Sequence, residues 1–137
     1  FVLVYPMIFS AEHTGKKAVI SCLANEFHQI GGKMIADIFE LNGWDGYFLG
    51  ANMPAEELIK FIDEKKPDIL GLSLSIYFNI KTLLETIDTV RLHYSDLNII
   101  VGGQAFRWGG KDVIARFKGV TYIESIDSLE KMIRPGR

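Results

Sequence analysis

Short apolar runs alternate with amphipathic stretches along almost the whole chain. Lys17–Ala24 is a β-branched apolar run between polar HTGK and NEFHQ, and it predicts a buried strand. Gly32–Asn42 places Met34, Ile35, Ile38, Phe39 and Leu41 at helical spacing, with Gly43 as the expected C-terminal cap. Trp44–Leu49 reads as a second strand. Pro54 then opens a helix carrying Leu58, Ile59 and Ile62 on one face. Pro67–Ser75 (PDILGLSLS) is a third strand in which Gly71 marks a close backbone approach. A helix over Asn79–His93 follows, with Ile80, Leu83, Leu84, Ile87 and Val90 in register. Leu97–Val101 is a fourth strand running into Gly102-Gly103. Helices over Lys111–Phe117 and Ser128–Ile133 flank a fifth strand, Val120–Ile123.

Strands that alternate with helices form right-handed crossovers, and these build a parallel sheet covered on both faces. The expected fold is α/β: a Rossmann-like, flavodoxin-like doubly wound sheet of five parallel strands in the order 2-1-3-4-5. The first ten residues, FVLVYPMIFS, do not fit the repeat. Residues 1–14 read as the end of a missing upstream segment, helical in character, residues 15–134 as the α/β domain and residues 135–137 as a tail. The start at Phe1 instead of Met fits that expectation.

Composition narrows the function. A formal charge of −2, from 15 Lys and Arg against 17 Asp and Glu, leaves no basic stripe for phosphate neutralisation, so no direct nucleic-acid contact is expected. Apolar runs shorter than ten residues are too short to span a bilayer. Cys22 is the single cysteine, so no internal disulfide is possible, and a reducing cytoplasm is the expected compartment.

In an open parallel sheet, ligands sit at the carboxyl ends of the strands where the strand order reverses. Four segments fall there: NEFHQIGG, SIYFN, GGQAF and ESID. His28 is either a loop histidine bonded to backbone or a metal ligand whose ring is oriented by nearby Glu26. One histidine does not make a protein-only zinc site, so a metal held by His28 would arrive with its other ligands in place, as in a macrocycle. The glycine pairs Gly31-Gly32 and Gly102-Gly103 serve either as turns or as places where a bulky ligand touches backbone. Ser73 and Ser75 share one face of strand 3 and either satisfy backbone or face a ligand. His93 suits the C-terminal end of its helix dipole, and Phe106 and Trp108 read as lid or core aromatics. No phosphate-cradling glycine motif is present. Strand 3 ends in Ser73 and Ser75 where a phospho-receiver domain needs Asp, strand 5 ends in Glu124 where it needs Lys, and NEFHQIGG is not the hydroxyl-rich loop of a flavodoxin.

Together, E-F-H-Q-I-G (Glu26, Phe27, His28, Gln29, Ile30, Gly31), Ser73 and Gly102-Gly103 resemble the D-x-H-x-x-G, S-x-L and G-G signature of cobalamin-binding domains, from about Lys17 to Met132. The resemblance implies cobalamin bound base-off, its nucleotide tail threaded into the sheet and His28 as lower cobalt ligand. It further implies that Glu26 supports His28, that Gly31 and Gly32 make room for corrin and tail, that Ser73 bonds the benzimidazole, and that Gly102-Gly103 lines the tail's tunnel. Gln104, Ala105 and Ser125 are neighbours of that site. Three positions depart from the pattern. Glu26 replaces Asp, Ser75 replaces Leu, and Asn79 stands where methyl-transferring members place a proton-relaying hydroxyl. Gly32-Lys33-Met34 departs from the G-K-N of methyl carriers and is similar to cobalamin-binding sensors and regulators. The expected function is therefore a sensor or regulatory module, not itself an enzyme, with a corrinoid carrier of a methyltransferase system as the alternative. Haem on the same axial histidine is a lesser alternative. Expected partners are an upstream helical cap or effector domain and a second copy of the chain.

Overall fold

A computed structural model of the chain describes residues 13–22, 29–50, 53–73, 80–102 and 111–134. Five strands and five helices alternate in it: β1 (Lys17–Cys22), α1 (Gln29–Leu41), β2 (Asp45–Phe48), α2 (Ala55–Lys65), β3 (Ile69–Ser73), α3 (Ile80–His93), β4 (Asn98–Gly102), α4 (Lys111–Ile114), β5 (Val120–Tyr122) and α5 (Ile126–Ile133). All strand pairs are parallel, in the order β2-β1-β3-β4-β5. The sheet is the doubly wound, flavodoxin-like one that the alternation predicts.

The two faces of the sheet bury separate sets of side chains, because successive residues of a strand point to opposite sides. Val19, Leu70, Leu72, Ile99 and Val101 pack with Leu58 and Ile62 of α2, Leu83, Ile87 and Val90 of α3, and Ile114 of α4. Ala18, Ile20, Ile69 and Ile100 pack with Ala36 and Phe39 of α1 and Leu129 and Ile133 of α5. Helices on both faces explain why β1 and β3 are continuously apolar instead of alternating.

Several boundaries differ from the sequence reading, for local reasons. α5 starts at Ile126, two residues before the predicted Ser128, because the Ser125 side chain accepts the Ser128 backbone N–H at 3.1 Å and caps the helix. α4 ends at Ile114 in a turn where the Phe117 N–H donates to Ile114 O, and Gly119 follows at φ 76°. α1 begins at Gln29, so Gly31-Gly32 lies inside its first turn and does not open it.

The end of α1 follows the sequence closely. Gly43 at φ 86° donates to Glu40 O, and Trp44 N–H donates to Phe39 O, the paired bonds of a Schellman cap. The Phe39 and Trp44 rings meet edge to face at 5.1 Å across that cap. The indole N–H of Trp44 then reaches Ile133 O at 3.1 Å. One residue thus ends α1, begins the approach to β2 and pins the last turn of α5.

Candidate functional site: a cavity at the carboxyl edge

The strand register brings the ends of three strands into one row. Cys22 of β1 pairs with Ser73 of β3, and Ser73 pairs with Gly102 of β4. One step inward lies a second row, Ile20, Gly71 and Ile100. By alternation, both rows face the side of the sheet covered by α1 and α5. The order reverses between β1 and β3, so these rows border the switch point where a doubly wound sheet binds its ligand.

Between α1 and α5, above Gly71, the protein leaves a cavity of about 230 Å³. Its inner wall is Ile20, Ile100 and Leu129, all buried, with Gly71 as the floor. Ile35 of α1 and Ile123 beyond β5 form the sides. Leu72, Ser73, Val101, Gly102, Glu124, Ser125 and Ile126 are the other lining residues among those described. At its base, position 71 has no side chain, and Ile20 and Ile100 close over it. A Cβ there would lie 2.6 Å from Ile20 Cδ1 and 3.4 Å from Ile100 Cγ1.

The two described candidate glycines behave differently. A Cβ at Gly32 would lie 2.7 Å from Phe48 Cε1 and 3.2 Å from Cys22 Sγ. Its missing side chain is thus used by the protein itself, letting α1 approach β1 and β2. Phe48 occupies the space beside Gly32. At Gly102 the only nearby atom among the described residues would be Ile123 O, at 3.4 Å, and its φ is not positive. Among the described residues, neither packing nor backbone conformation demands glycine at 102. Open space at the cavity rim is what that glycine provides.

The remaining candidates divide as follows. The Ser73 hydroxyl is half-buried at the rim and makes no hydrogen bond to another described residue. Ser125 lines the cavity, yet its oxygen is engaged by Ser128 as a helix cap. Gln29, Ile30 and Gly31 supply backbone to the first turn of α1. Glu26, Phe27, His28, Ser75, Asn79, Gly103 and Gln104, like the N-terminal apolar run, lie outside the described residues. His28 is nonetheless the residue bonded to Gln29, the first of α1. His93 is far from this edge, at the last turn of α3, with its ring Nδ1 3.0 Å from Thr89 O. Sequence reasoning missed Ile20, Ile35, Ile100, Ile123 and Leu129 as cavity residues, while Glu124 and Ser125 belong to the ESID segment it placed at this edge. Among the described residues no three His, Cys, Asp or Glu side chains gather as a metal site, and no helix is long and apolar enough to cross a membrane.

The residues fit a flat organic group better than an ion. An apolar cavity of roughly 150 Å³ admits benzene, so 230 Å³ admits a fused bicycle. The unpartnered Ser73 hydroxyl at the rim can bond one ring nitrogen.

Comparison with solved structures finds the same fold. The chain aligns with a cobalamin-binding protein from Desulfitobacterium hafniense DCB-2 at a TM-score of 0.75 and 23% identity, over 85% of this chain and 56% of that one. It aligns with the methanol:cobalamin methyltransferase complex from Methanosarcina barkeri at 0.75 and 21%, over 85% and 46%. A third match is the monomethylamine corrinoid protein of Methanosarcina barkeri, at 0.77 and 15%, over 96% and 62%. The chain thus spans about half the length of the structures it matches, and at these identities the likeness is one of fold. The model of the B12 binding domain family matches residues 16–130, nearly the whole α/β unit, and the chain belongs to that family.

Proposed function

We propose that this domain holds cobalamin base-off, with His28 as the lower cobalt ligand and the nucleotide tail in the cavity above Gly71. The observation that carries this reading is the cavity: an apolar slot at the switch point, with Ser73 and Gly102 at its rim. The chain's own residues have distinct tasks. Gly102 leaves space at the rim, Ile20, Ile100 and Leu129 form the apolar base beneath the slot, and Ser73 offers the hydroxyl. His28, next to the first residue of α1, ligates from the same edge, and Glu26 orients its ring by accepting the second N–H. When bound, the corrinoid supplies a cobalt whose upper group can be exchanged or lost.

The role assigned to the module is that of a sensor or regulator, in which that upper group biases the packing of a segment over it, by differential binding to two states. Asn79 in place of a proton-relaying hydroxyl, and Met34 in place of the carrier wording, support it. A carrier role in methyl transfer is the second reading. It is favoured by the likeness to corrinoid and methyltransferase structures.

The test is titration with hydroxocobalamin, followed by absorption and calorimetry, for wild type and His28→Ala. The expected result is that His28→Ala keeps its fold and loses the spectral change of axial ligation. An unchanged spectrum and affinity would remove His28 from the site. Methyl turnover by the full-length protein at about one per second or faster would establish the carrier role instead of the sensor.

A further inference from the structure

We infer that the apolar segment FVLVYPMIFS, residues 1–10, docks along the outer face of α1. The inference stands apart from the cobalamin reading, and its test needs no corrinoid. It starts from an anomaly in α1. A helix packed on a sheet turns its apolar side chains to the sheet and its polar ones to water. In α1 the buried line is Gly32, Ala36 and Phe39. Met34 and Leu41, two turns apart, stand on the opposite side of the helix, with Ile38 beside them. Met34 is 38% exposed, and Ile38 and Leu41 are half-buried. The charged side chains of α1 do not cover this stripe, because they form a line of their own. Lys33 pairs with Asp37 at 2.6 Å, and Glu40 accepts the Gly46 N–H of β2 at 2.9 Å.

The occupant follows from where the chain enters the domain. The Thr14 N–H donates to Gly43 O at 2.9 Å, and the Thr14 hydroxyl donates to the same oxygen at 3.3 Å. Gly43 caps α1, so the chain that leads into β1 is fastened at the foot of that helix, close to Leu41. The stripe rises from there toward the carboxyl edge, where α1 begins. FVLVYPMIFS, just before the anchor, carries no charge. Ten extended residues reach about 33 Å, and the 13 residues of α1 rise about 20 Å, so the segment spans the stripe. Seating its side chains on Met34, Ile38 and Leu41 removes apolar surface from water on both sides of the contact. Tethering favours this segment over a second copy of the chain, since a short tether gives an effective concentration on the order of millimolar.

The experiment is timed oxidation of the full chain with dilute hydrogen peroxide, the sulfoxides of Met34 and Met132 being read by mass spectrometry. Met132 of α5, 42% exposed, is the reference. Met34 is expected to oxidise at least about threefold more slowly than Met132, since oxidation follows exposure. Leu3→Asp/Ile8→Asp, which charges the segment and leaves the α/β unit untouched, should bring the two rates together. Met34→Lys, at a solvent-facing helical position, should keep the fold and free the segment, seen as severalfold faster chymotrypsin cleavage after Phe9. Equal oxidation of Met34 and Met132 in the wild-type chain overturns the inference. So does protection of Met34 that survives Leu3→Asp/Ile8→Asp, or that fades on dilution, the mark of a second copy. Unchanged cleavage after Phe9 in Met34→Lys also overturns it, by removing α1 as the seat.

Discussion

Replacing Gly102 should separate folding from binding. Its φ is ordinary, and among the described residues a Cβ would meet only Ile123 O, at 3.4 Å, a normal contact. Glycine in a strand interior is a weak choice for stability, and Gly→Ala at an unstrained site commonly gains about 0.4–1 kcal/mol by restricting the unfolded chain. The contact with Ile123 O offsets part of that gain. Gly102→Ala should therefore fold with wild-type stability or up to about 0.5 kcal/mol more. Gly102→Val, β-branched and suited to a strand, should fold comparably. Binding should respond in the opposite direction, since both side chains enter the rim of the 230 Å³ cavity. Inserting carbons into a filled, well-packed site costs about 1–3 kcal/mol, or roughly 5- to 150-fold in affinity, with valine worse than alanine. Urea denaturation of the apo protein gives the first quantity, and titration with hydroxocobalamin gives the second. If Gly102→Val binds as tightly as wild type, the cavity does not receive the ligand. If it is destabilised by more than about 2 kcal/mol, glycine at 102 belongs to the fold and the reasoning about open space fails.

Other substitutions test the scaffold. Gly32→Ala should destabilise by about 1–2 kcal/mol despite alanine's helix propensity, because its Cβ would lie 2.7 Å from Phe48 Cε1; a midpoint shift in urea reads this. Ser125→Ala should cost about 1 kcal/mol by removing the α5 cap, visible in the same denaturation curve, with affinity reduced only as far as Leu129 loosens. Trp44→Phe should keep the edge contact with Phe39 but leave Ile133 O without its donor, costing about 1–3 kcal/mol, with faster amide exchange in α5 than in α3.

The fold was legible because both sheet faces are covered. Val19 and Ile20 must both be apolar, as must Leu70 and Leu72 around Gly71, so the strands stand out as runs between amphipathic helices. The cap at Gly43 was equally readable, since glycine is the residue that takes φ 86° without strain. The start of α5 was missed because Ser125 and Ser128 both look like caps, and only their mutual bond decides between them. The rim of the site was legible as Ser73 and Gly102, two residues that a buried strand does not need. Its interior was not. Ile20, Ile100 and Leu129 read as ordinary core, and the cavity beside them is bounded by Ile35 of α1 and by Ile123–Ile126 after β5, which no sequence pattern brings together. At Gly32, read as ligand space, Phe48 occupies the space beside the glycine. Glycine in a sequence marks a missing side chain, and only the structure says what occupies the gap.

The central claim is that His28 ligates cobalt while the cofactor's own base lies elsewhere. Electron paramagnetic resonance of the Co(II) form, prepared with histidine labelled with nitrogen-15, tests it most directly. The unpaired electron couples to the nitrogen beneath the metal, and nitrogen-15 splits each cobalt line into two where nitrogen-14 splits it into three. The account predicts two-line splitting in the labelled wild-type protein and no histidine splitting in His28→Ala. Three-line splitting that persists in the labelled protein would mean that the benzimidazole remains on the metal, and would contradict the account.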